Sequence, residues 1–161
     1  GLFGWVDTGV DTERLAQVMA RLHRRWGAAL LIDLHSMPPL PVVGGQPGAQ
    51  FVIGDRFGAS CDGRLVAHSF AHLAESNRLA AHNRPYAGGY VLDRHAAPAC
   101  GMHALQIEVD RSSYLDRRLA EPGEGLAGVT GVLTGLVRRL AAETVDLARQ
   151  GSAPDWSEAA E

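Results

Sequence analysis

Residues 28–34, AALLIDL, constrain the fold more than any other stretch of this sequence. A continuous apolar run of strand length reads as a central strand buried on both faces of a sheet. It ends abruptly in polar chemistry at Asp33, His35 and Ser36. Upstream, ERLAQVMARLHRRW places Leu15, Val18, Met19, Leu22 and Trp26 at three- and four-residue spacing. That is one apolar helix stripe, capped by Asp11 or Thr12, with His23 and the arginines facing outward. Gly27 stops the helix just before the strand.

The proline- and glycine-dense MPPLPVVGGQPGAQ cannot propagate helix or central strand, so it reads as a long loop leaving the carboxyl end of that strand. Ligands bind at that end in open α/β sheets. FVIGDR reads as a second strand, and GRLVAHSFAHLAESN as a helix with Leu65, Val66, Phe70 and Leu73 on one face. LAAHNRPY is short, and YVLDRHAAPACG carries no assignable period. MHALQIEV is the clearest remaining strand, and a last amphipathic helix is expected from about Val129 to Arg149. This alternation predicts an α/β fold, with a mixed, largely parallel sheet flanked by helices. Residues 1–150 are expected to form one domain, and 151–161 a surface tail.

Composition removes several classes of function. A formal net charge of -3, with no basic run longer than Arg24-Arg25, leaves no electrostatic footprint for a nucleic acid or an anionic membrane. No apolar stretch is long enough to span a bilayer, and the opening GLFGWVDTGV lacks a basic signal-peptide start. All 15 basic residues are arginine, so lysine Schiff-base chemistry is excluded. Cys61 and Cys100 make neither a disulfide framework nor a redox pair, which points to reduced packing thiols and a cytoplasmic protein.

Two constellations carry chemistry. On a strand, Asp33 and His35 project from one face, as a metal ligand with its neighbour, as a base, or as a capped polar turn. In HALQIEVD, Gln106, Glu108 and Asp110 share the face opposite His103, Leu105, Ile107 and Val109. An acid in the middle of such a strand needs a reason: a structural bridge to Arg111 or another arginine, or general acid/base work. The turn NRPYAGGY adds Asn83, Arg84 and Tyr86 beside two glycines that let backbone approach a ligand. His68 and His72 have i, i+4 helix spacing but no HExxH context, and read as solvent-facing. No phosphate loop or GxSxG serine elbow is present.

IDLHSMP, VIGDRFGASC, NRPYAGGY and HALQIEVDRSSYLD, in that order and at these separations, resemble the motif series of the N-formylglutamate amidohydrolase family. The resemblance implies a fold similar to the zinc carboxypeptidases and aspartoacylases. It also implies zinc-dependent hydrolysis of an N-acyl amino acid, classically N-formylglutamate at the end of a histidine-degradation route. Within it His35 matches a metal ligand and Glu108 the glutamate acting on water, with Asp33 orienting a neighbour such as the His35 ring. Arg56, Arg84 and Arg111 are the candidate partners of substrate carboxylates, with Asn83 and Tyr86 as further polar contacts.

The family's first metal ligands have no counterpart in GLFGWVDTGV, so the chain resembles the carboxyl-terminal part of the domain. One zinc ion with ligands from upstream is the corresponding expectation. A fragment of this kind is expected to expose an apolar sheet edge and to associate with a copy or a partner. The competing reading is a metal-free, non-catalytic remnant that binds an acidic small molecule or partner through its arginines.

Overall fold

The computed structural model describes residues 12–151. The cap at Asp11, the opening GLFGWVDTGV and all of the expected tail except Gly151 lie outside them. Helix α1 (Thr12–Trp26) leads into β1 (Ala29–Met37), followed by β2 (Phe51–Gly54), α2 (Gly63–Glu75), β3 (Ala80–His82), α3 (Tyr90–His95), β4 (Met102–Asp110) and α4 (Leu126–Gly151). Single 3₁₀ turns at Pro98–Cys100 and Arg111–Ser113 flank β4.

The four strands form one sheet in the order β1-β4-β2-β3. β1 runs parallel to β4 and β2 parallel to β3, while β2 and β4 are antiparallel. The sheet is therefore mixed and mostly parallel, as the helix and strand alternation predicts. Its central strand is β4, buried along all but its first residue.

Alternation along β4 divides the molecule. Leu105, Ile107 and Val109 join Phe51 and Ile53 of β2 in a core closed by Leu65 and Leu73 of α2 and by Val129, Leu136 and Leu140 of α4. Leu30 and Ile32 of β1 pack against the same cluster. The opposite face of β4 carries Gln106, Glu108 and Asp110. Register puts Asp33 and His35 of β1, and Val52 and Gly54 of β2, on that second face.

Several expectations change. β1 is an edge strand among the described residues, exposed at Leu34 (52%), His35 and Ser36 before Met37 is buried again. An apolar run reads alike in a central strand and in an edge strand with one packed face. The α1 stripe buries only Met19 completely, and Trp26 is 57% exposed. His23 is half-buried rather than outward. His68 and His72 are only partly exposed: they turn onto α4, where His68 Nε2 lies 3.2 Å from Glu143 Oε2 and His72 Nε2 lies 2.9 Å from the Val132 carbonyl. Gly135 makes room, because a Cβ there would sit 2.7 Å from the His72 ring. Cys61 is a buried packing thiol, whereas Cys100 is exposed.

Leu136 is fully buried at the centre of this core. Leu136→Ala is expected to cost about 2–5 kcal/mol through lost burial and the cavity left behind. Urea unfolding of the two proteins measures it, and a loss below about 1 kcal/mol contradicts this packing.

Candidate functional site

Parallel pairing of β1 with β4 sets Asp33 opposite Gln106 and His35 opposite Glu108. Four polar side chains thus meet on one face at the carboxyl ends of two neighbouring strands. Asp33 Oδ1 lies 2.9 Å from His35 Nε2, so the carboxylate orients the ring. The imidazole side chain is half exposed and Asp33 is 22% exposed. Glu108 is only 6% exposed, and its Oε1 accepts a 2.9 Å hydrogen bond from Gln106 Nε2. At the end of β4, Arg111 turns back onto β1, donating from Nε to Ser36 Oγ at 3.3 Å and from a terminal nitrogen to the Ser36 carbonyl at 3.4 Å. Asp110 caps that turn by accepting from the backbone and hydroxyl of Ser112.

Burial pushes the Glu108 carboxyl above the usual carboxylate range. His35 opposes the rise, Asp33 adds to it, and Arg111 and the Gln106 amide oppose it again. Each of these four groups thus lies within electrostatic reach of Glu108. A carboxyl raised this way and held at one oxygen is suited to taking and returning a proton.

Arg56, Asn83, Arg84 and Tyr86 lie apart from this cluster, in the loops that follow β2 and β3. Asn83 is buried with a φ of 58°; its Oδ1 accepts from the Asp55 amide at 2.9 Å and its Nδ2 donates to Asp55 Oδ1 at 2.6 Å. His82 Nε2 stands 3.1 Å from the same carboxylate oxygen, so Asp55 ties the two loops together. Arg56 is held by Asp93 at 2.7 Å and by the Gly88 carbonyl at 3.3 Å. Arg84 is exposed and Tyr86 half-buried.

Gly54 relates these loops to the cluster. It pairs with Gln106 across the β2–β4 ladder, and a Cβ added to it would lie 2.7 Å from the Ala87 backbone. The backbone at Ala87 and Gly88 therefore crosses the face of the sheet that bears Gln106, and only glycine admits it so closely. Alternation along HALQIEVD already put Gln106 on the Glu108 face, but its bond to the glutamate comes from the fold.

A hollow of about 570 Å³ lies at the opposite end of β1 and β4 and is lined in part by His23, Asp62, Arg64, Cys100 and His103. Its buried polar groups are already engaged. His103 Nδ1 accepts from the Asp62 amide, and Arg64 pairs with Glu143.

The described residues do not fit a zinc ion by themselves. His35 is a single imidazole, and among the described residues no three His, Cys, Asp or Glu side chains converge as a metal requires. Likewise, none of the described helices is long and apolar enough to cross a membrane.

Burial raises the Glu108 carboxyl, so the folded protein binds that proton more tightly than the unfolded chain does. The resulting stability is complete below the unfolded carboxylate range and is lost as pH rises through the raised folded value. Glu108→Gln is thus expected to melt above the parent at pH 7–8, with the gap closing toward pH 4. Equal midpoints across that range contradict the buried carboxyl. Separately, Asn83→Ala breaks both bonds to Asp55, with an expected cost of about 1–3 kcal/mol in chemical denaturation.

The model of the N-formylglutamate amidohydrolase family matches residues 12–115. The N-formylglutamate deformylase of Pseudomonas aeruginosa is 31% identical over 106 residues, covering 65% of this chain and 40% of the relative. That of Pseudomonas putida is 31% identical over 104 residues, covering 63% and 39%. The crystal structure of N-formylglutamate amidohydrolase from Ralstonia eutropha superposes with a TM-score of 0.65 at 31% identity, over 86% of this chain and 49% of that one. A protein from Agrobacterium tumefaciens shares the fold with a TM-score of 0.58 at 21% identity, covering 81% of this chain and 49% of its own. The chain spans about two fifths of the length of the curated relatives it matches. On the matched residues and the shared fold, it belongs to the N-formylglutamate amidohydrolase family.

Proposed function

We propose that this chain carries the proton-transfer part of the active site of a zinc-dependent amidohydrolase that removes the N-formyl, or a related N-acyl, group from an acidic amino acid such as N-formylglutamate. The observation that carries the reading is Glu108: a carboxyl 6% exposed on the central strand, raised by burial, beside Asp33, His35 and Arg111. The named activity of the Pseudomonas and Ralstonia relatives supports the substrate class.

In this reading His35 is one zinc ligand, with its ring oriented by Asp33, and the remaining ligands lie outside the described residues. The steps that belong to this chain are proton movements. Glu108 takes a proton from the water that attacks the formyl carbon and returns it to the departing nitrogen. The C–N bond breaks, leaving formate and the free amine. Gln106 keeps one Glu108 oxygen engaged so that the other faces the water. Arg111 is the candidate partner for a substrate carboxylate next to the reacting group, with Arg84 and Tyr86 as further candidates from the loop after β3, while Asn83 and Arg56 are engaged by Asp55 and by Asp93 and Gly88 and hold the loops.

The reading is tested by following formate release from N-formylglutamate. Glu108→Gln is expected to lower kcat by about 10²–10⁴-fold, the usual share of general acid/base catalysis. Arg111→Ala is expected to act mainly through KM. Unchanged formate release by Glu108→Gln overturns the assignment. Zinc measured per chain by elemental analysis, beside a His35→Ala control, tests the metal. Zinc lost in the control supports His35 as a ligand; a metal-free parent with no formate release leaves either an incomplete piece of such a site or a binding role for acidic molecules.

A further inference from the structure

The hollow at the amino-terminal ends of β1 and β4 lies at the end of the sheet opposite the Glu108 cluster. The most deeply buried polar residue of its lining is His103, only 3% exposed. The bond that engages His103, accepted at Nδ1 from the Asp62 amide at 3.3 Å, also fixes its tautomer. A neutral ring that accepts at Nδ1 carries its proton on Nε2. Burial holds the proton affinity of this ring below that of an ordinary histidine, so the neutral form prevails at pH 7. Nε2 has no acceptor among the described residues and is not sealed off from the hollow. A buried donor of this kind calls for an acceptor that the described residues do not supply.

Asp62 stands beside it with the opposite need. Its Oδ1 caps α2 by accepting from the Arg64 amide at 2.8 Å, which leaves Oδ2 without a donor among the described residues. The basic group of the lining, Arg64, is neutralised by Glu143 and held by Gln150. The carboxyl-terminal turns of α1 and α4 also reach the hollow, through Gly27 just past α1 and through Gln150 and Gly151, and such helix ends favour positive charge. Pro98 and Leu147 add apolar wall. A metal ion is not the occupant, because no three His, Cys, Asp or Glu side chains converge among the described residues. A simple anion is disfavoured by Asp62 and the two helix ends. The lining instead asks for a cationic donor and an acceptor side by side, on a molecule with an apolar part. The volume of about 570 Å³ lies within the range of small-molecule sites.

We propose that this hollow is a binding site for a small zwitterionic amino acid with an apolar side chain. Its ammonium group lies against Asp62 and the ends of α1 and α4, its carboxylate accepts from His103 Nε2, and its side chain lies along Leu147 and Pro98. The site is separate from the Glu108 cluster and does not depend on the function proposed for it.

Cys100 gives the readout, since it is exposed and lines the hollow, whereas Cys61 is buried and burial pushes its thiol up, out of the reactive range. The full 161-residue chain is alkylated with iodoacetamide at pH 7, with and without L-leucine, and modification of Cys100 is followed by mass spectrometry. Leucine is expected to slow alkylation saturably. N-acetyl-leucine, which lacks the ammonium, and isopentylamine, which lacks the carboxylate, are expected to protect about tenfold more weakly or less, each having lost one charge-assisted contact. Asp62→Asn keeps the helix cap, because asparagine caps as well as aspartate does. It is expected to leave the melting midpoint unchanged and to raise the leucine concentration for half-protection about tenfold. Absence of protection overturns the proposal. So does equal protection by all three compounds, or protection that Asp62→Asn leaves intact. A Cys100 that resists alkylation in the chain alone, covered by residues 1–11, by residues 152–161 or by a second copy, overturns it as well.

Discussion

The rest of this structure depends on one strand having two incompatible faces. β4 sits between a parallel neighbour and an antiparallel one, and every residue from His103 to Asp110 is buried. Leu105, Ile107 and Val109 drive the sheet onto α2 and α4 through apolar burial. The same alternation forces Gln106 and Glu108 onto the other side, out of reach of that core. A carboxyl buried there has to be compensated, and its neighbours do so piecemeal: an amide from Gln106, an imidazole from His35, a guanidinium from Arg111. The core and the site are therefore two faces of one register. A slip of one residue in β4 would put Glu108 into the hydrocarbon and Ile107 into the site.

The loops over the polar face are held by a different device. Asp55 follows β2 and Asn83 follows β3, and the pair exchanges two hydrogen bonds while His82 approaches the same carboxylate. Gly54 lets the backbone at Ala87 and Gly88 pass in contact, and Arg56 anchors the far side through Asp93 and Gly88. Asn83 and Arg56 both have positive φ, a conformation that pays off only where surrounding contacts over-determine it. The polar residues of these motifs thus shape the roof of the site whether or not each of them touches a ligand.

Much of this was legible because it followed strict periods. Alternation in IDLHS and QIEVD placed Asp33 with His35, and Gln106 with Glu108, and the ladder then matched the pairs. β3 has three residues and α3 six, too short for a period to emerge from LAAHNRPY or YVLDRHAAP. The edge position of β1 was hidden because hydrophobicity reports burial of side chains and is silent on which backbone edge finds a partner. The contacts of His68 and His72 with α4 are hidden for a related reason. Spacing says that two residues share a helix face, but which face meets α4 is decided elsewhere, here by Gly135. A glycine inside a predicted helix was the available signal.

Solvent access across the site follows a gradient. Glu108 on the central strand is 6% exposed, Asp33 on β1 is 22% exposed in its side chain, and His35, further along the same strand, 50%. The electrostatic worth of each contact follows that gradient, because water screens the His35–Asp33 pair far more than it screens the field at Glu108. A strand laid against β1 would change this without moving a single atom of the cluster. It would desolvate Asp33 and His35, strengthen their mutual attraction, and leave Glu108 facing a drier and more strongly polarised partner. Whatever covers β1 therefore sets how strongly the charges of the cluster are felt at Glu108.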